Sequence, residues 1–164
     1  VWQPIVANHL NGVLFLTNSM LVAHGDGWGA GFDNTQSFSL LSYAGVLSIA
    51  NSEIQNSTAA SSSSYGLIIQ GGEVYINNST IEVNVPFQIS GRLEITGGRI
   101  LNTQSTTDQF YIGASASAST VLSVRSAFIT RADNVGSFSG NYLVNNTSSS
   151  SNISIEFTDC SISE

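Results

Sequence analysis

An eight-residue pattern that recurs six times is the feature that most constrains how this 164-residue chain folds. Each copy reads apolar, any, apolar, any, Asn-like, small, any, apolar, without a gap. Self-similarity at intervals of this size is typical of stacked-repeat architectures. The six segments begin at Leu14, Leu47, Val74, Leu93, Leu122 and Ile155, which are 33, 27, 19, 29 and 33 residues apart.

The pattern predicts a strand, a bend and a second strand in every repeat, because strict alternation is followed by turn-forming residues. Two further apolar columns run through the repeats, one from Leu16 to Phe157 and one from Leu21 to Ile162. Side chains that tolerate left-handed backbone fill the fifth position. That column reads Asn18, Asn51, Asn78, Gly97, Ser126 and Asp159, and the small column after it reads Ser19, Ser52, Ser79, Gly98, Ala127 and Cys160.

A second alternating run precedes most units and predicts one more strand per repeat. We expect three short parallel strands per coil, stacked at about 4.8 Å per coil, with loop excursions between them. Ile5 precedes the first unit. Each later run has two apolar positions separated by one residue: Phe38 and Leu40, Leu67 and Ile69, Phe87 and Ile89, Phe110 and Ile112, and Tyr142 and Val144.

Coils of irregular length that share a strand, bend and strand segment resemble the right-handed parallel β-helix. This is the pectin-lyase-like architecture of polysaccharide lyases, phage tailspikes and surface adhesins. The resemblance covers about residues 3 to 164 and implies an all-β fold: one single-stranded right-handed β-solenoid domain over 1–164 with about six coils. Fold resemblance of this kind does not carry function with it.

Charge and composition exclude several partners. The net charge is −7, the four cations are scattered arginines, and there is no lysine. Nucleic-acid binding needs a basic patch, so we expect no nucleic-acid partner. No run of about 18 apolar residues occurs, so we expect no membrane insertion. The polar, Ser-, Thr- and Asn-rich composition favours an extracellular, cell-surface or virion-surface location.

Stacking makes specific predictions about neighbouring coils. Glu73 and Arg92 occupy the same outward position in adjacent coils and are predicted to form an ion pair. If exposed, that pair should stabilise the fold by well under about 1 kcal/mol. Asn51 and Asn78 are predicted to stack as an amide ladder along the bend. The single cysteine, Cys160, lies in the small inward column and is predicted to be an inert core thiol.

We predict no enzyme activity, no cofactor and no metal site. Glycoside cleavage needs two carboxyl groups about 5 to 9.5 Å apart. In the repeat columns only Glu94 and Glu156 share a position, two coils apart with Ser123 between them. The acidic and basic signatures of polysaccharide-cleaving relatives of this architecture are missing.

The glycine-rich segment 23–36 contains the densest group of polar side chains. Asp26, Asp33 and Asn34 offer oxygens, but their spacing matches no EF-hand, so we interpret the segment as a loop excursion. His9 and His24 are the only histidines, and neither stands in a recognisable catalytic arrangement.

Aromatic side chains and glycosylation sequons are the remaining candidates. Outward aromatics stack on sugars or pack against a neighbouring solenoid. The candidate partner or glycan contacts are Trp2, Phe15, Trp28, Tyr43, Tyr65 and Tyr75. The candidate N-glycosylation sites, in Asn-x-Ser/Thr sequons, are Asn56, Asn78, Asn146 and Asn152.

The sequence shows no evident end caps, although the first and last coils of a solenoid expose unpaired edges and half a core. We therefore expect a non-enzymatic extracellular structural protein, a homo-oligomer or filament whose coils stack end to end. A start at Val1 is typical of a processed chain or an excised fragment. The alternative is a receptor- or carbohydrate-binding β-helix of a phage tail fibre, tailspike or adhesin, with surface polysaccharide as its partner.

Overall fold

The computed structural model describes residues 6–8, 12–23, 40–43, 45–56, 67–83, 87–102, 109–113, 119–131, 142–150 and 152–163. These residues form eighteen short strands, and no helix occurs among them. The strands are β1 Val6–Asn8, β2 Val13–Thr17, β3 Met20–Ala23, β4 Leu40–Tyr43, β5 Val46–Ala50, β6 Glu53–Asn56, β7 Leu67–Gln70, β8 Glu73–Asn77, β9 Thr80–Val83, β10 Phe87–Ile89, β11 Arg92–Thr96, β12 Arg99–Asn102, β13 Phe110–Ile112, β14 Val121–Arg125, β15 Phe128–Arg131, β16 Val144–Asn146, β17 Ser154–Thr158 and β18 Ser161–Ser163.

The strands assemble into three six-stranded parallel sheets. Sheet A contains β1, β4, β7, β10, β13 and β16; sheet B contains β2, β5, β8, β11, β14 and β17; sheet C contains β3, β6, β9, β12, β15 and β18. The chain visits the three sheets in turn and repeats that circuit six times. One circuit is called a coil below, and the arrangement is compatible with a β-solenoid.

Strand pairing confirms the apolar columns predicted from the sequence. Leu93 is the register partner of Val74 on one side and of Leu122 on the other, and the same zero-shift register runs through sheets B and C. In the four inner coils these columns are buried, with at most 3% exposure. Sheet A adds Phe87 and Phe110, whose ring centroids lie 5.5 Å apart.

Every bend between sheets B and C contains a left-handed residue at the predicted fifth position. The φ angles there range from 46° at Asn78 to 67° at Gly97. Asn and Asp tolerate this region because their short side chains bond locally. Asn51 and Asn78 occupy this position in adjacent coils and are exposed; stacking of their amides stays a prediction.

The next position is small because its side chain sits within the backbone hydrogen-bond network of the bend. Ser52 Oγ donates to the Ala50 carbonyl at 2.8 Å and accepts the Ser19 N–H at 3.2 Å. Ser79 repeats this role one coil further, accepting the Ser52 N–H at 3.1 Å. A larger side chain at this position would replace these bonds with a clash.

Gly98 is the tightest point of the stack. Its φ is +79°, and a Cβ there would lie 2.2 Å from the carbonyl oxygen of Ser79 in the preceding coil. Gly71 has a similar φ of +77°, but a Cβ there would meet no atom within 4 Å. Both glycines therefore adopt left-handed backbone, but only Gly98 lacks the space for a side chain.

In sheet A, the observed pairing is offset by two residues from the simple alignment of the apolar runs at both ends of the sheet. Val144 pairs with Phe110 rather than with Ile112, and Leu40 pairs with Leu67 rather than with Ile69. An offset of two residues keeps each side chain on the same face of the strand, so the alternation of apolar residues does not fix which alignment forms. Phe38 lies outside the described residues.

Replacement of Ile95 by Asp tests the core assignment. Ile95 is 2% exposed between Ile76 and Val124, so an unpartnered carboxyl there should cost more than about 4 kcal/mol of unfolding free energy. Thr96→Asp, at the neighbouring exposed position, should change it by less than about 0.5 kcal/mol. Thermal melts followed by circular dichroism compare the two; equal melting temperatures would contradict the assignment.

The two glycines form a second matched pair. Gly71→Ala should cost about 1 kcal/mol, because alanine in left-handed backbone is strained but unobstructed. Gly98→Ala should cost several times more, because its methyl group meets the backbone of Ser79. Denaturant unfolding of both variants gives the two values, and a similar loss in each would rule out the close approach between coils.

Candidate functional site

Two of the candidate aromatic contacts have described side chains, and they share one outward column of sheet B. Phe15 on β2 is 68% exposed, and Tyr75 on β8 is partly buried two coils away. Ser48 lies between them in the register. The outward face therefore presents an aromatic ring, a small side chain and a second aromatic ring.

The other four candidate aromatics have no described side chain. Tyr43 is the last residue of β4, and its side chain is not described. Trp2, Trp28 and Tyr65 lie outside the described residues, as do His9 and the 24–36 part of the glycine-rich segment. Their roles stay predictions.

Around Tyr75, two bonded side-chain pairs lie next to each other in adjacent coils, each within its own strand. The Tyr75 hydroxyl donates to Glu73 Oε2 at 2.6 Å, and Arg92 forms an ion pair with Glu94 on its own strand. Glu73 and Arg92 are register partners, as predicted. The predicted pairing is nevertheless wrong in detail, because among the described residues Arg92 bonds Glu94, while Glu73 accepts from the tyrosine.

A second ion pair crosses from β14 to β17. Arg125 Nη2 lies 3.0 Å from Glu156 Oε2, with about half of each side chain exposed. Donation by Arg125, and then by the Thr158 hydroxyl, lowers the pKa of Glu156. Glu156 therefore stays ionised to lower pH than an ordinary glutamate.

The column from Glu94 to Glu156 does not have the character of an acid–base pair. The register places Ser123 between them, as the repeat predicts. A general acid needs a raised pKa, whereas that of Glu156 is lowered, and each carboxylate is bonded to an arginine. The described part of the chain brings together no group of three or more His, Cys, Asp or Glu side chains able to hold a metal ion.

The first coil has an outward apolar patch that the sequence analysis missed. Val13, Phe15 and Met20 are exposed by 61%, 68% and 63% on β2 and β3. The alternation of the sequence predicts that Leu14 and Leu21 face inward, and it therefore also predicts that Val13 and Met20 face outward. Neither residue is aromatic, so neither is among the contacts predicted from the sequence.

The two ends of the stack expose the inward columns themselves. Ile155 and Ile162 in the last coil are 41% and 48% exposed, although the equivalent Leu122 and Ile129 are 0% and 3% exposed. At the opposite end Leu14 is only partly buried against the core. Each end of the stack of described strands is therefore an apolar face.

Cys160 lies in the small inward column as predicted, but in the last coil, where it is half-buried. Its thiol lies 3.3 Å from the Val124 carbonyl and 3.4 Å from that of Thr158. The contact with Thr158 matches the one that the Ser52 hydroxyl makes with the Ala50 carbonyl.

The predicted sequons fall at strand ends and bends. Asn78 is the exposed left-handed residue of its bend, and Asn152 is exposed before β17. Asn146 is exposed at the end of β16, where its side chain accepts the Ser148 N–H at 3.0 Å. Asn56 ends β6, and its side chain is not described. Glycosylation at these sites stays a prediction.

Comparison with protein-family models, with curated proteins and with solved structures found no match. In the described strands and bends there is no helix long and apolar enough to cross a membrane.

Titration of Tyr75 tests the charged group on sheet B. Its hydrogen bond to Glu73, and then partial burial, raise the pKa of the phenol. Glu73→Ala should lower that pKa towards the ordinary value of about 10, and the control Glu82→Ala on sheet C should leave it unchanged. The pKa is measured from ring chemical shifts, assigned with Tyr75→Phe. An unchanged pKa in Glu73→Ala would show that the hydrogen bond does not form.

Proposed function

We propose that this chain is a right-handed parallel β-helix of the pectin-lyase-like kind and that it is a non-enzymatic structural protein of the extracellular space or of a cell or virion surface. In this proposal copies of the chain stack end to end into a filament or surface appendage. The observation that carries the proposal is the pair of apolar end faces.

The end faces favour a partner that continues the stack. Inward side chains that are fully buried in the middle coils are almost half exposed at Ile155 and Ile162. Burial of apolar surface stabilises by about 25 cal/mol per Å², so a further coil on each end is favourable. Strand addition also satisfies the edge N–H and C=O groups, which supplies affinity and direction.

Charge does not oppose this contact. At one end β2 and β3 carry no charged side chain, and at the other Glu156 is already bonded to Arg125. Like charges facing each other across a sheet destabilise it, and the described strands at the two ends bring none together.

Electron microscopy and light scattering test the proposal directly. The purified chain should form filaments with an axial subunit repeat near ~29 Å, which is six strand spacings of ~4.8 Å. Protein that remains monomeric at every concentration would overturn the proposal, because the ends would then need no second copy.

A matched pair of variants links assembly to the end face. Ile162→Lys puts a charge on the exposed inward column of β18 and should abolish filaments while the circular dichroism spectrum is kept. Ser163→Lys changes the neighbouring exposed outward position and should leave filaments intact. Filaments of normal length from Ile162→Lys would exclude this face from the junction.

Receptor or carbohydrate binding is the second candidate, and the column of Phe15, Ser48 and Tyr75 favours it. Two partly or largely exposed rings separated by a small side chain provide stacking platforms for sugars. A glycan array probed with the soluble Ile162→Lys protein tests this function apart from assembly. Loss of a glycan signal in Tyr75→Ala would support it, and an array without signal would exclude it.

A further inference from the structure

We infer that the filament junction is polar and in register: β17 and β18 of one copy pair with β2 and β3 of the next, with the same zero shift as inside the chain. This inference rests on the proposed filament and goes further by stating which edges meet and in what alignment. Hydrogen bonds that repeat at every contact between coils support this alignment.

Within the chain the bend residue of each coil donates its N–H to the last sheet-B residue of the following coil. This bond recurs at all five contacts between coils, with lengths from 2.8 to 3.1 Å. The pairs are Asn18 with Ala50, Asn51 with Asn77, Asn78 with Thr96, Gly97 with Arg125, and Ser126 with Thr158. The next donor in this series is the Asp159 N–H, and its counterpart at the other end of the stack is the Thr17 carbonyl.

A second bond runs in the opposite direction at the same five contacts. The first residue of each sheet-C strand donates its N–H to the small residue before the equivalent strand of the preceding coil, at 2.9 to 3.0 Å. Glu53 donates to Ser19 and Ser161 to Ala127 in this way. If the series continues across the junction, Met20 of the next copy donates its N–H to the Cys160 carbonyl of the first copy.

The two edges are therefore complementary to each other and not to themselves. The strands β2 and β17 both contain five residues, and the bends after them have φ of 52° at both Asn18 and Asp159. Translation along the stack brings these strands and bends together. A two-fold arrangement would make β17 antiparallel to its copy and move the two bends to opposite ends of the strand pair.

Side chains agree with the in-register alignment. Ile155 would cover Leu14 and Phe157 would cover Leu16, which joins the half-buried inward columns of the two ends. Cys160 would meet Ser19, whose hydroxyl donates to Thr17 in the same geometry that Ser52 has with Ala50. Ser52 Oγ accepts the N–H of Ser19 in the preceding coil. In the same way, Ser19 Oγ of the next copy would accept the N–H of Cys160.

Disulfide trapping with single-cysteine proteins tests this alignment. The background is Cys160→Ser, which places at that position the residue found in the same column at Ser52 and Ser79. Val13→Cys, Thr17→Cys, Ser154→Cys and Thr158→Cys each add one cysteine on the outward face of the two edge strands. Each variant is first checked for filaments by electron microscopy, and pairs are then mixed, assembled and oxidised.

In-register mixtures should form covalent dimers as their main product. These are Val13→Cys with Ser154→Cys and Thr17→Cys with Thr158→Cys, whose Cα atoms would be ~4.8 Å apart, within the ~4.4–6.8 Å that a disulfide spans. The crossed mixtures, Val13→Cys with Thr158→Cys and Thr17→Cys with Ser154→Cys, are displaced by about 13 Å along the strand and should give only background dimer. Two in-register mixtures are used so that a defect in one variant does not decide the result.

The outcomes separate this inference from the filament proposal. Dimers formed by one variant alone would indicate a like-to-like junction, and dimers in a crossed mixture would indicate a shifted register; either overturns the inference while the filament stands. Filaments that give no dimer in either in-register mixture also overturn it. If the unmodified protein forms no filaments, the proposed function fails and the inference with it.

Discussion

Parallel hydrogen bonding between successive coils is the constraint on which the rest of this structure depends. Each coil is a single narrow layer, so the N–H and C=O groups of its strands have their partners in the coils on either side. This makes the register uniform, because a slip by one residue would turn the apolar column of a whole strand to solvent. The zero shift between Val74 and Leu93 is repeated throughout sheets B and C.

The bends obey the same constraint. The chain must turn between sheets B and C without losing the bonds to its neighbours, and a left-handed residue followed by a small residue achieves this. Where the pair is Asn and Ser, the hydroxyl of a residue such as Ser52 joins the hydrogen-bond network between coils. Where the pair is Gly97 and Gly98, the backbone of Ser79 approaches Gly98 too closely for a side chain there.

Stacking also separates the surfaces of the molecule into two kinds. On the lateral faces, side chains of neighbouring coils contact each other, as in the ion pair of Arg125 with Glu156. The ends have no such neighbour among the described strands, so they expose core side chains such as Ile162 together with strand edges. This difference is why the proposed assembly uses the ends, while the candidate carbohydrate contacts lie on a lateral face.

The sequence by itself determined the repeat, the inward columns, the bend positions and the division into three strands per coil, because each is a local consequence of alternation and of turn-forming residues. It also placed Glu73 beside Arg92. Only the tertiary structure decided that Arg92 bonds Glu94, that Val144 pairs with Phe110, and that Cys160 is half-buried. Ion-pair geometry, register shifts of two residues and burial at an end depend on contacts between coils, which leave no periodic signal in the chain.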